Sequence, residues 1–322
     1  MPTRYGPPID VQLRQLTKVA VMYHEKGIRQ AQIADTLGLS QAKVSRLLKR
    51  AAQLGVVRTT VSVAPGLHTE LEGELESTYG LAEAVIVDVD GDDDEGEQIA
   101  AIGGAGAAYL ETAFTGADHV GIASWSQTLL ATVDRMRPTV TPMVQEVVQL
   151  LGGIGAPEAQ TEAQRLANEL ARMLGGQAYY VQAPGVVADQ KTRDSLVQEP
   201  GLRAVMSRWR QLTAAVVGIG SIEPSDLLAE SGNAFDPADS AMLLQQGAVG
   251  NICHRVFDRD GTPIEGDVDA RTISIPIEEF RRIPRRIGIA GGNRKIGPLQ
   301  GALAGEWITT LITDAHTARA LL

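Results

Sequence analysis

At 322 residues the chain is too long for one small module and suits two domains. Its 44% hydrophobic and 21% charged residues give the balance of an ordinary soluble protein; no apolar run approaches the ~18 residues of a membrane span, and the opening MPTRYGPPID lacks the apolar centre of an export signal. One cysteine, five histidines without metal-ligand spacing and 4% aromatics argue against a disulfide framework, a metal centre and a stacking platform for single strands, leaving a cytoplasmic protein with no cofactor expected.

The net charge of −10 is unevenly spread. Residues 1–60 hold ten Lys and Arg against Asp10, Glu25 and Asp35, a surplus of +7, so the remainder carries −17. A basic head on an acidic body points to a polyanionic partner for the head, because neutralising phosphates releases condensed counterions. A solvated basic surface is the plainer alternative.

Apolar spacing from Val11 to Tyr23 predicts a first helix, ended by Gly27. Gln30–Leu37 and Gln41–Leu54 predict two more helices around Gly38-Leu39-Ser40, the pattern of a helix-turn-helix. Ala34 is small enough for the helices to approach, Gly38 can take a positive φ, and Ser40 is a good N-cap. Ile33, Leu37, Leu39, Val44, Leu47 and Leu48 form the expected core. Gln41, Ala42, Lys43, Ser45, Arg46 and Lys49 are left on the outer face of the second of these helices, and Gln30, Gln32 and Ser40 complete the candidate contacts to double-stranded operator DNA. Gln can pair adenine and Arg guanine in the major groove. Hydrophobic spacing alone leaves open an amphipathic hairpin inside a bundle. Alternation over Gly55–Val63 predicts a β-wing, which makes residues 1–63 a winged helix-turn-helix domain.

Leu67–Tyr79 predicts a polar helix with Leu71, Leu75 and Tyr79 on one stripe, a linker within 64–80 that self-associates or packs on its neighbour. Over 81–322, strands are predicted at Ala84–Val89, His119–Ala123, Val144–Leu151, Ala178–Gln182, Ala214–Ile219, Arg286–Ala290 and Ile308–Thr313. Helical patterns fall between them, at Gln98–Phe114, Gln127–Arg135, Glu162–Leu174 and Pro237–Gln245. This alternation implies an α/β fold: a parallel sheet with helices on both faces and ligands beyond the carboxyl ends of the strands. Glycine- and hydroxyl-rich turns follow those ends at Ile122–Thr128, Leu151–Gly155 (with Gly152 and Gly153), Gly218–Ser221 (with Gly220) and Ala290–Lys295. Together they predict a pocket for a polyol or phosphate. None is a dinucleotide fingerprint: Gly218-Ile-Gly220 lacks the third glycine, and Gly103-Gly-Ala-Gly106 lies inside a helical pattern.

Nearly end to end, the chain resembles the SorC family of bacterial sugar-responsive transcription regulators. The resemblance runs through QAQIADTLGLSQAKVSRLLKRAAQLGVV in the head. In the body it runs through YGLAEAVIVDV, VGIASWSQTL, VVQLLGGIG, GAVGNICHRVFDRDG, RIGIAGGNRK and LITDAHTARALL. It implies a Rossmann-like effector domain similar to the sugar-phosphate isomerase, glucosamine-phosphate deaminase and CoA-transferase superfamily. It also implies a homodimer or homotetramer whose grip on an operator changes when a sugar, polyol or sugar phosphate binds. The family's effector-lining positions fall on Ser124, Trp125, Ser126, Gln127 and Thr128, on Gly250 and Asn251, and on Lys295. Ser126 stands where the family has Gly, and Asn251 where it has Asp; the latter replaces a pure acceptor by a group that both donates and accepts.

Other features have plain readings. Asp88–Glu97 lacks the glycine and spacing of a calcium loop and reads as solvated. Arg281–Arg286 reads as a helix end flanking a strand, Cys253 as buried packing, and Thr313 as the cap of the last helix. Trp125 could wall the pocket or simply pack. The rival function is a sugar-phosphate isomerase or deaminase with an N-terminal appendage. Such an enzyme needs a positioned base, whereas the strand-end loops offer Ser, Thr, Gln and Asn.

Overall fold

The computed structural model describes residues 11–57, 66–89 and 95–322, and the chain divides into two units, Met1–Ala64 and Pro65–Leu322. In the first, α1 (Val11–Ala20) runs into a π-helical turn (Val21–Glu25), followed by α2 (Gln30–Leu37) and α3 (Gln41–Gln53). Gly38 ends α2 at φ +62, a left-handed conformation that glycine adopts without strain. Ser40 then accepts from the Lys43 N–H at 3.3 Å and starts α3. Val19, Met22, Ile33, Ala34 and Val44 are buried together, with Leu37, Leu39, Leu47 and Leu48 against them. The wing expected over Gly55–Val63 lies mostly outside the described residues.

The second unit opens with α4 (Thr69–Tyr79), β1 (Glu83–Val87), α5 (Glu95–Leu110), β2 (Asp118–Ile122) and α6 (Gln127–Val133). Next come β3 (Val144–Gln149), α7 (Pro157–Leu174), β4 (Gln177–Tyr179), α8 (Gln190–Leu196), α9 (Pro200–Met206), β5 (Ala214–Val217), α10 (Asp226–Glu230) and α11 (Pro237–Gln245). A hairpin of β6 (Ala248–Ile252) and β7 (Arg255–Asp258) leads to α12 (Asp267–Ala270), α13 (Ile277–Arg282), β8 (Arg285–Ile289), α14 (Ile296–Ala304), β9 (Thr310–Asp314) and α15 (Ala315–Leu321).

Seven of these strands form one parallel sheet in the order β1-β9-β8-β5-β2-β3-β4. They are the seven read from the sequence, with ends displaced by no more than three residues. Strands covered on both faces become continuous apolar runs, as in Ala214–Val217, all four buried. The β6–β7 hairpin and the short helices α8–α10 and α12–α14 were not among the elements read from the sequence.

Of the two roles expected for the 64–80 helix, α4 takes the one of packing on its neighbour. Leu75 is fully buried in the main core, and the Glu76 and Glu72 carboxylates accept the Ala84 and Ile86 N–H groups at 2.9 and 3.1 Å. Those N–H groups lie on the outer side of edge strand β1, so α4 closes an edge that would otherwise offer unpaired backbone. The Arg281–Arg286 cluster is also largely consumed internally. Arg285 pairs with Asp118, and the Arg286 guanidinium donates to the Arg281, Ile283, Glu306 and Trp307 carbonyls. The last helix is capped by Asp314 rather than Thr313. The Asp314 carboxylate accepts from Thr317 N at 2.8 Å and Thr317 Oγ1 at 2.6 Å, whereas Thr313 is a fully buried residue of β9.

Candidate functional site

β2 and β5 are hydrogen-bonded neighbours, yet the chain leaves β2 toward β3 and β4 on one side and returns to β5, β8 and β9 on the other. At such a switch point the loops beyond the strand ends part and leave a crevice. A cavity fills it, lined by Ser124–Thr128 after β2, Gly218–Ser221 after β5, Ala290, Gly291, Arg294 and Lys295 after β8, and Asn251, Cys253 and His254 of the hairpin. The N-terminal end of α5 adds Glu95, Gln98 and Ile99.

Several polar groups here are already engaged in holding the loops. Ser124 Oγ donates to the Leu151 carbonyl at 2.8 Å and Trp125 Nε1 to the Gly152 carbonyl at 3.2 Å, which ties the loop after β2 to the loop after β3. Trp125 therefore both packs and lines. Ser126 caps α6 by accepting from Leu129 N at 3.2 Å, leaving its own proton to donate. Asn251 exchanges both backbone bonds with Gly220, at 2.9 and 2.8 Å, and its Nδ2 donates to the Ser221 carbonyl at 3.2 Å. A Cβ on Gly220 would lie 2.7 Å from that Nδ2, so the hairpin docks only on a bare residue.

Three expected pocket residues lie outside the lining. A Cβ on Gly152 would stand 2.3 Å from the Pro184 carbonyl oxygen, on Gly153 2.9 Å from Gln149 Oε1, and on Gly250 2.9 Å from Pro298 Cβ. These glycines let protein segments approach one another. Ser124–Thr128, Gly220, Asn251 and Lys295 do come together around the cavity.

Lys295 sits in a short 3-10 turn (Asn293–Lys295) that Gly292 introduces at φ +95, and the Gly292 N–H is held by Asp314 Oδ2 at 2.9 Å and Thr317 Oγ1 at 2.7 Å. Burial pushes the Lys295 ammonium below its ordinary pKa; Arg294 adds to this and Glu95 opposes it. Arg294 lies 3.6 Å from Glu223. Two cations and the carboxylates of Glu95 and Glu223 thus leave the described lining without net formal charge. Cys253 is buried and its thiol is pushed up to about 12 by that burial, so it is no nucleophile at neutral pH.

Sequence reading missed Glu95, Gln98, Glu223 and His254. Glu95 ends an acidic run that reads as solvated, Gln98 falls in the helical pattern after it, and Glu223 lies two residues beyond the Gly218–Ser221 turn. His254 lies in a two-residue turn, Cys253-His254, with φ +51 and +62, where asparagine and glycine are the usual occupants. No group of three or more potential metal ligands occurs among the described residues.

In the head, Gln32, Ser40, Gln41, Ala42, Lys43, Ser45, Arg46 and Lys49 are all exposed, and Gln30 is half-buried at the start of α2. Arg46 Nε returns to the Ala42 carbonyl at 3.3 Å, which holds its stem along the helix. The result is an α3 whose outward face carries Lys43, Arg46, Lys49 and Arg50.

Residues 65–322 match the family described as "Putative sugar-binding domain". The chain is 30% identical over 312 residues to the sorbitol operon regulator of Klebsiella pneumoniae, covering 96% of this chain and 98% of that one. It is 31% identical over 315 residues to the deoxyribonucleoside regulator of Bacillus subtilis (strain 168), covering 98% and 99%. The chain belongs to the SorC family of sugar-binding transcriptional regulators. The crystal structure of the full-length sorbitol operon regulator SorC from Klebsiella pneumoniae aligns with a TM-score of 0.72 at 28% identity, over 97% of this chain and 99% of that one. Because its full-length SorC-type relatives are regulators by name, the isomerase or deaminase alternative is set aside. No helix among the described residues is long and apolar enough to cross a membrane.

Proposed function

We propose that the protein is a cytoplasmic, ligand-gated regulator of a carbohydrate or polyol operon. In this reading α3 enters the major groove, with Gln41, Lys43, Ser45 and Arg46 at the bases, Lys49 at phosphate, and Gln30, Gln32, Ser40 and Ala42 beside them. A sugar, polyol or sugar phosphate occupies the cavity against Ser126, Gln127, Thr128, Asn251 and Lys295. The observation that carries this is the cavity at the β2/β5 switch point, in a chain whose other unit presents a cationic helix. Two full-length relatives are named for sorbitol and for deoxyribonucleosides, which supports a polyhydroxylated effector. A symmetric dimer or pair of dimers would bridge half-sites about one helical turn apart or a multiple of it. The effector can shift operator affinity only by its differential affinity for the two arrangements, and a coupling of about 1–3 kcal/mol is ordinary.

The test is a thermal-shift screen of the full chain against sugars, polyols and their phosphates, followed by operator binding with and without the hit. A selective hit that changes operator affinity, with both effects lost in Lys295→Ala while ligand-free DNA binding persists, supports the reading. A hit that Lys295→Ala still senses moves the effector away from this cavity.

A further inference from the structure

The β6–β7 turn brings two residues to the lining of the cavity at a conformational cost, since Cys253 and His254 both hold positive φ without being glycine. The surroundings enforce it. The Cys253 carbonyl accepts from Ser274 Oγ at 2.7 Å, and the Arg255 guanidinium donates to the Ser274 and Ile275 carbonyls at 2.9 and 3.0 Å. His254 is 3% exposed, its ring packs edge-on against Phe235, and its Nε2 lies 2.7 Å from the Asn233 carbonyl oxygen. Asn233 is itself fixed, accepting from Gly185 N at 2.6 Å and donating to the Ile154 carbonyl at 3.0 Å.

A carbonyl oxygen only accepts, so Nε2 carries the hydrogen and, in the neutral ring, Nδ1 is bare. Burial favours that neutral form, pushing the imidazole down to about 4. No residue hydrogen-bonds Nδ1 among the described residues, and the sealed side-chain atoms without a partner there are Thr139 Oγ1 and Thr313 Oγ1 instead. Nδ1 therefore keeps some access, and the space that His254 lines is the cavity. Nearby, Asn251 brings an amide where a carboxylate would supply only acceptors.

We infer that His254 is a specificity residue of the effector site, whose Nδ1 accepts a hydrogen bond from a hydroxyl of a polyhydroxylated ligand. This rests on the sugar-sensing reading of the cavity. It selects ligands with a hydroxyl donor at that point and rejects deoxy analogues, because a desolvated acceptor left unpaired is costly.

The experiment uses the full chain, labelled with 15N-histidine, and a fixed panel: erythritol, ribitol, D-glucitol, D-mannitol and their terminal monophosphates. In the ligand-free protein at neutral pH, His254 should show a protonated Nε2 and an unprotonated Nδ1; the opposite tautomer overturns the proposal. With a panel compound that binds, the Nδ1 resonance should move, and calorimetry should show His254→Phe binding about tenfold weaker, the loss of one hydrogen bond. His254→Gln, which keeps a donor for Asn233 and an amide oxygen, should recover part of the affinity. The Nδ1 shift in the unmutated protein keeps the test open should either variant fold poorly. A hit lost in Lys295→Ala but unaltered in His254→Phe, with no Nδ1 shift, overturns this assignment alone. A panel without any hit overturns the sugar-pocket reading together with it.

Discussion

The Ser126 hydroxyl lies over Gly218: a Cβ built on Gly218 would stand 2.7 Å from Ser126 Oγ and 3.1 Å from its Cβ, with nothing else within 4 Å. One residue follows β2 and the other follows β5, so this contact spans the crevice at the switch point. Gly218→Ala should therefore destabilise the protein by about 1–3 kcal/mol through overpacking. In a Ser126→Gly background, where the obstructing atoms are gone and the cap loses only a few tenths of a kcal/mol, the same change should be nearly free. A double-mutant cycle by urea denaturation checks this, with an expected coupling of about 0.5–3 kcal/mol. Additive effects would show that the two loops move apart independently.

The parts of this architecture that were legible in the sequence are those set by neighbours along the chain. Gly38 and Ser40 announce the turn between α2 and α3 because a positive φ and a side-chain cap are local requirements. The sheet strands are legible because burial on both faces leaves continuous apolar runs. The β6–β7 hairpin is not, since Cys253 and His254 hold turn geometry only through distant partners in Asn233 and Ser274. The edge closure of β1 by Glu72 and Glu76 is hidden for the same reason. Bare glycines are ambiguous in sequence: Gly220 admits the Asn251 side chain at the cavity, whereas Gly152 admits the Pro184 backbone outside it.

On α3, Arg46 and Lys49 should separate by readout. Arg46→Ala should cost about 1–3 kcal/mol on the preferred operator and relax the preference at one base pair. Lys49→Ala should weaken all sequences alike and reduce the salt-dependence slope by about 1. Fluorescence anisotropy on operator and scrambled duplexes across a salt series measures both. A uniform loss in Arg46→Ala would assign that guanidinium to the backbone.

Stability should fall in mild acid because of His254. Burial holds its imidazole down to about 4, helped by the charge of Arg255 and opposed by the Asn233 carbonyl, against an ordinary value of 6.5. Between those values the unfolded chain binds a proton that the folded chain does not, so stability rises with pH over this window. The contribution is whole above about 6.5 and is lost as pH falls toward about 4, with a slope of up to about 1.4 kcal/mol per pH unit. Asp118 acts lower: although burial raises its pKa, hydrogen bonds from Thr213 and Thr115 and the Arg285 guanidinium outweigh this and hold the carboxyl below its ordinary range. Urea midpoints between pH 7 and pH 4 should fall in the parent and stay flatter in His254→Gln. An identical fall in both would place the acid-sensitive group elsewhere.

Adjacent glycines in α5 should respond to alanine with opposite signs. A Cβ on Gly104 meets only Arg135 Cδ, at an ordinary 3.8 Å, so Gly104→Ala should gain the helix preference of alanine, about 0.5–1 kcal/mol. On Gly103 the Cβ would lie 2.9 Å from the Ala131 carbonyl carbon and Cβ in α6, where the neighbour is backbone and cannot swing aside. Gly103→Ala should force α5 and α6 apart, costing about 1–3 kcal/mol. Because α5 carries Glu95 and Gln98 and α6 begins at Gln127, that displacement should also weaken binding of the effector. Paired thermal melts and calorimetry test it. Equal melting temperatures would mean that the glycine run reflects helix composition rather than the close approach of the two helices.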